Sequence, residues 1–102
     1  MALPTYTELI ADEKFAGLPH DERVAMTRDY WDMYDAENPD AGEYTKLQRG
    51  ASANYLDALT YGDPDVGDYI DEVSTVEGAR YGMVPVESAQ SLLEANTAKR
   101  KS

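Results

Sequence analysis

Apolar residues recur along this chain at three- and four-residue spacing, a period that predicts helices. LPTYTELIA opens with Thr5 and, three residues on, Glu8, the pattern of a capping box, and Tyr6, Leu9 and Ile10 then share one side. Asp12 reads as a fresh N-cap for a short turn carrying Phe15 and Leu18, and Pro19 marks the next boundary. A helix is predicted over residues 20–35, with Asp21 and Glu22 in its first turn, where the helix dipole favours acids. Its wheel places Val24, Met26, Tyr30, Trp31, Met33 and Tyr34 on one half, and Asp21, Glu22, Arg28, Asp29, Asp32 and Asp35 on the other. Trp31 is therefore expected as a core anchor, and Arg28 with Asp32 as an i,i+4 pair.

AENPDAG at 36–42 breaks the chain. A helix over 41–59 follows, with Tyr44, Leu47, Ala51, Tyr55, Ala58 and Leu59 on its apolar stripe. Gly50 costs that helix about 1 kcal/mol relative to alanine. The small residues Gly50, Ala51 and Ala53 suit a close helix crossing. Asp63 reads as an N-cap and Pro64 as a first helical residue. Val66, Tyr69, Ile70, Val73 and Val76 continue at helical spacing through Glu77, with a strand over 69–76 as the alternative because several are β-branched. Gly78, Gly82 and Pro85 make an irregular stretch. A last helix over 86–95 carries Ala89, Leu92 and Leu93, and NTAKRKS is expected to fray. The expected fold is all-α, a small bundle of four main helices plus a short N-terminal helical turn. It is a single domain over 1–96 with a flexible basic tail at 97–102.

Charge sharpens this picture. Twenty acids face nine bases. Three of the nine, Lys99, Arg100 and Lys101, lie in the last four residues, which leaves residues 1–98 with six bases against twenty acids. Such a body is repelled by nucleic acid and anionic membrane and attracted to basic protein surfaces. The absence of cysteine excludes a disulfide framework and a thiolate metal site. No apolar run approaches the roughly 20 residues needed to span a bilayer. MALPTYTELI lacks the basic region of a secretory signal. The protein is therefore expected to act in the cell that makes it, or in a particle assembled there.

Catalytic chemistry finds no footing, and neither a cofactor nor a metal is expected. His20 is the single histidine, read as a solvent-facing neighbour of a helix cap. DPDVGDYIDE offers Asp63, Asp65 and Asp68 as hard oxygen ligands. Counted from Asp63, however, its glycine falls one place early and Ser74 stands where an EF-hand loop needs glutamate. The carboxylate pairs Asp29 with Asp32 and Asp71 with Glu72 fall on predicted wet faces, where nothing separates their pKa values. YGDPDVG lacks the lysine and hydroxyl of a phosphate-binding loop.

Tyrosine is the remaining signal. Tyr6, Tyr30, Tyr34, Tyr44, Tyr55 and Tyr69 sit on apolar stripes and are expected at core edges with their hydroxyls reaching water. Tyr61 and Tyr81 stand beside glycines in connections and are candidate contact residues. With them, Asp29, Asp32 and Asp35 on the wet face, and Lys99, Arg100 and Lys101 in the tail, complete the candidate partner-binding set.

The stretch YTELIADEKFAGLPHDERVAMTRDYWDMY resembles an N-terminal motif of tailed-bacteriophage virion proteins, especially internal or ejection proteins. The residues that carry the resemblance are Asp12, Phe15, Leu18, Pro19, Asp21, Glu22 and the aromatics Tyr30, Trp31 and Tyr34, in the first third of the chain. It implies a phage origin and a packing or docking role, with no catalytic residues to carry over. The expected protein is thus a small acidic virion-associated protein, not an enzyme, that docks on other protein chains, foremost virion components. It would reside in the host bacterial cytoplasm or in the virion. The alternative is an acidic phage inhibitor of a host nucleic-acid-binding complex, of the DNA-mimic, anti-restriction or anti-CRISPR type, meeting a basic host protein surface.

Overall fold

The N-terminal caps form as the sequence dictates. Thr5 accepts a hydrogen bond from the Glu8 amide at 3.1 Å and starts α1 (Tyr6–Ala11); Asp12 accepts from the Lys14 amide at 2.7 Å and starts α2 (Glu13–Ala16). Four longer helices follow: α3 (His20–Glu37), α4 (Gly42–Thr60), α5 (Val66–Arg80) and α6 (Val86–Lys101). This computed structural model describes residues 3–62 and 65–101, with side chains described through Lys99. The fold is all-α, without a strand among the described residues, so 69–76 is helical. Asp63 and Pro64, read as the cap and first residue of α5, lie outside the described residues.

Two glycines close helices in the same way. Gly62 and Gly82 take φ of +66° and +74°, the left-handed conformation that ends a helix and that other residues adopt at a cost. Each follows a tyrosine at the helix C-cap, Tyr61 after α4 and Tyr81 after α5. Gly78, read as a break, is instead inside α5. A Cβ there would lie 3.1 Å from Val84 Cγ2, so the returning chain packs directly on the helix. Gly50 is the matching point between α4 and α6, where a Cβ would lie 3.3 Å from Leu93 Cδ2. The close crossing expected of the small residues is found at Gly50, whereas Ala53 is exposed.

Helix α4 is the centre of the domain. α3, α5 and α6 all pack on it, and α1 rests on α5. Its core stripe is the expected one, with Leu47, Ala51, Tyr55 and Ala58 buried, but Thr45, Gln48, Ser52 and Asn54 are buried as well, because neighbours cover α4 on several sides. Glu77 of α5 ties α1 down: its carboxylate accepts from the Thr7 amide at 3.0 Å and the Thr7 hydroxyl at 2.6 Å.

An aromatic cluster fills the space between α1, α3 and α4. Trp31 is buried against Tyr6, Tyr30, Tyr34 and Tyr44, with ring centroids 4.5 to 6.2 Å apart, and its indole N–H donates to Ser52 Oγ at 3.0 Å. The expectation that the stripe tyrosines sit at core edges with wet hydroxyls is corrected for Tyr69, buried with its hydroxyl donating to the Asn96 carbonyl, and for Tyr6. It is fully buried, and its hydroxyl meets Thr27 Oγ1 at 2.8 Å.

Three further corrections concern helix faces and a helix end. Val24, Met26 and Met33, read as part of the apolar half of α3, are exposed, because α3 leans chiefly on α4 and buries only a narrow face of Thr27, Tyr30 and Trp31. Glu72, read as solvated, is fully buried; Asp71 beside it is exposed. Helix α6 does not end near residue 95 but runs through Lys101, with Asn96 buried and Lys99 held at the surface of α5.

Candidate functional site

Of the eight residues singled out in the sequence, the six whose side chains the structure describes do not converge. Asp32 and Asp35 turn towards α4, where Arg49 Nη2 lies 2.8 Å from Asp32 Oδ1 and 3.4 Å from Asp35 Oδ2. Arg28, expected as the partner of Asp32, loses it to Arg49, which reaches across from the neighbouring helix. The Arg49 guanidinium is held above its ordinary pKa chiefly by the hydrogen bond to Asp32. Asp29 lines a separate depression with Met26, Tyr30 and Met33.

Tyr61 and Tyr81 are exposed by 82% and 66%, but at opposite ends of the domain. Tyr61 follows Thr60, whose hydroxyl is hydrogen-bonded to His20 Nδ1 at the start of α3. Tyr81 stands at the other end of α3, in a depression of about 330 Å³ with Leu3, Tyr34, Glu37, Asn38 and Arg80. There Arg80 Nε donates to the Tyr34 hydroxyl at 2.9 Å, and its guanidinium lies 5.7 Å from the Tyr44 ring centroid. In the tail, Lys99 Nζ lies 2.9 Å from both Asp65 and Asp68, and its pKa is raised chiefly by these two hydrogen bonds. Lys99 thus faces the acidic body of its own chain. The side chains of Arg100 and Lys101 lie outside the described residues.

The surface that the structure does assemble is a different face of α3. Glu22, Met26, Asp29 and Met33 follow one another at four-, three- and four-residue spacing and so form a single outward stripe. Beside them, Leu3, Pro4, Leu9, Ala25 and Tyr30 complete an open groove of about 540 Å³ between the N-terminal segment and α3. Met26 is 41% and Met33 51% exposed. The groove is apolar along its length and acidic at Glu22 and Asp29, with no basic residue among its described lining. On the opposite flank, α3 and α4 enclose a smaller cleft of about 280 Å³, lined by Val24, Trp31, Ala53 and Leu56 with Arg28, Arg49 and Asp57.

A second polar constellation lies inside the fold. The Glu72 carboxyl receives the side-chain amide of Asn54 on α4 at 3.2 Å and that of Asn96 on α6 at 2.8 Å. Asn96 also donates to the Asp68 carbonyl at 3.3 Å, and Asn54 to Thr97 Oγ1 at 3.0 Å. These bonds join three helices, which gives the cluster a structural part.

Both features lie where the helical pattern is least decisive. Met26 and Met33 fall at the margin of the apolar half of α3, away from the buried Thr27, Tyr30 and Trp31, and Glu72 is a charged residue on a buried stripe. The available signals were positional. Residues 22, 26, 29 and 33 alternate acid and methionine on one stripe, and Glu72 falls between Tyr69 and Val76 on the buried stripe of α5.

Among the described residues, no group of three or more His, Asp or Glu is placed to hold a metal ion, and no helix is long and apolar enough to cross a membrane. No protein-family pattern, curated protein or solved structure matches the chain.

Proposed function

We propose that this chain is a small acidic bacteriophage protein, associated with the virion, that docks on a larger protein assembly and catalyses no reaction. The observation that carries the docking role is the stripe on α3, where two methionines stand exposed outside the core. Exposed large apolar side chains grouped in a groove mark contact surfaces, and methionine adapts to a partner's shape. The resemblance of the first third of the chain to internal virion proteins supplies the phage setting. The host bacterial cytoplasm is the place of synthesis, and the assembled particle the place of action.

The competing role, an acidic inhibitor that imitates nucleic-acid phosphate, needs a row of available carboxylates. Of the six carboxylates on α3, Arg49 engages two of the three singled out for partner binding, Asp32 and Asp35, which counts against it. Quantitative mass spectrometry of purified particles tests the two. The docking role predicts a fixed, stoichiometric copy number, reduced in a Met26→Asp, Met33→Asp variant. Recovery of a tagged chain with a host nuclease or polymerase, and absence from particles, would overturn it in favour of the inhibitor.

A further inference from the structure

We propose that the groove between the N-terminal segment and α3 receives one amphipathic helix of a partner protein, aliphatic on its buried side and basic at its margins. The inference deepens the docking role proposed above and rests on it.

The geometry of the stripe selects a helix. Met26 and Met33 are seven residues apart, as are Glu22 and Asp29, so both pairs repeat every two turns, about 10.5 Å along α3. A second helix lying alongside presents side chains at the same repeat, and its aliphatic residues at i and i+7 fall against the methionines. Leu3, Pro4 and Leu9 form the far wall and give that helix a second apolar surface. An extended strand, with its two-residue repeat, would match neither pair.

The charge of the groove selects a basic partner. Glu22 and Asp29 are its charged lining residues, and its described lining contributes no cation. Lysine or arginine at the margin of the incoming helix meets these two carboxylates at partly desolvated ground, where opposite charges steer and orient the complex. A second copy of this chain would bring the same two acids against its own surface under a net charge of -11, and an anionic membrane would be repelled in the same way.

The test uses two synthetic peptides of about 18 residues, long enough to form a helix on binding. One is amphipathic with leucine and lysine, the other with leucine and glutamate. Methyl-resolved NMR of the full chain follows Met26 and Met33, with Met83, exposed at the base of α6, as an internal control. The leucine-lysine peptide is expected to shift the methyl signals of Met26 and Met33 and leave Met83 in place. Affinity should fall about tenfold or more in Met26→Asp and in Met33→Asp. Both side chains are exposed and outside the buried core, so the variants should keep the helical circular dichroism of the parent. Glu22→Lys with Asp29→Lys should reverse the preference towards the leucine-glutamate peptide. Equal binding of both peptides by the parent chain, shifts centred on Met83 or the α3–α4 cleft, or concentration-dependent self-association through the methionines would each overturn the proposal. Particle incorporation separates its failure from that of the docking role. A chain found in particles that ignores the basic peptide leaves docking intact and removes the groove. One that binds the peptide through the methionines but never enters particles keeps the groove and removes the virion.

Discussion

At the scale of single residues, the buried hydroxyl pair of Tyr6 and Thr27 shows how this core tolerates polarity. Each hydroxyl gives the other a partner at 2.8 Å, so neither is left unsatisfied. Removing one partner strands the other. Tyr6→Phe and Thr27→Val are each expected to cost about 1–2 kcal/mol, and the double variant less than their sum by about 1 kcal/mol. Urea denaturation of the four proteins measures this, and simple additivity would show that the two hydroxyls do not depend on each other. The same residues mark what the sequence made legible. Tyr6 and Trp31 were readable as apolar-stripe residues, because large rings at helical spacing have few other places to go. The depth of Tyr6 was not readable, since Thr27 looks like any solvent-facing threonine until the helix is docked. Met26 and Met33 show the converse: hydrophobicity predicted burial, and the shortage of neighbours on the outer side of α3 decided otherwise.

At the scale of elements, α6 is the helix that the sequence described least well. Its buried apolar contribution is small, with Ala89 buried and Leu92 and Leu93 half-buried, so a hydrophobic pattern alone ends it early. The extra turns are held instead by polar contacts: Asn96 and Thr97 reach the Glu72 and Asn54 cluster, and Lys99 reaches Asp65 and Asp68. Glu72 thereby does for α6 what apolar side chains do for α4. Glu72→Ala would take from the buried amides of Asn54 and Asn96 one of the two acceptors that each has, at an expected cost of about 3 kcal/mol, and Glu72→Gln distinctly less. The loss should be local before it is global. Hydrogen exchange of the α6 amides is expected to accelerate in Glu72→Ala more than exchange in α3, whose packing on α4 does not involve the cluster. Uniform acceleration across both helices would show that Glu72 supports the fold as a whole and does not specifically fasten α6.

At the scale of the whole molecule, the domain is a flat body of 34 × 31 × 17 Å whose core is unusually rich in phenol groups. Burial raises the pKa of Tyr6, Tyr30 and Tyr44 well above the ordinary tyrosine value, and raises that of Tyr55 too, because the phenolate is poorly solvated inside. The sign of the resulting pH dependence follows from linkage. In the unfolded chain these groups ionise near pH 10, whereas in the folded chain they hold their protons to higher pH. Below about pH 10 both states are protonated and the stability is fully present. Above it the unfolded state sheds protons first, and stability falls as pH rises towards the folded values. The limiting slope is about 1.4 kcal/mol per pH unit for each tyrosine that stays protonated in the fold. Chemical denaturation from pH 8 upwards should therefore give a plateau and then a steep decline beginning near pH 10. Phenolate absorbance from the buried rings should rise together with the loss of helical circular dichroism. Their ionisation in a chain that keeps its helices would contradict the burial argument. Tyr6→Phe, already destabilised at neutral pH, should decline with a shallower slope, because one of the groups that drives the alkaline transition is gone.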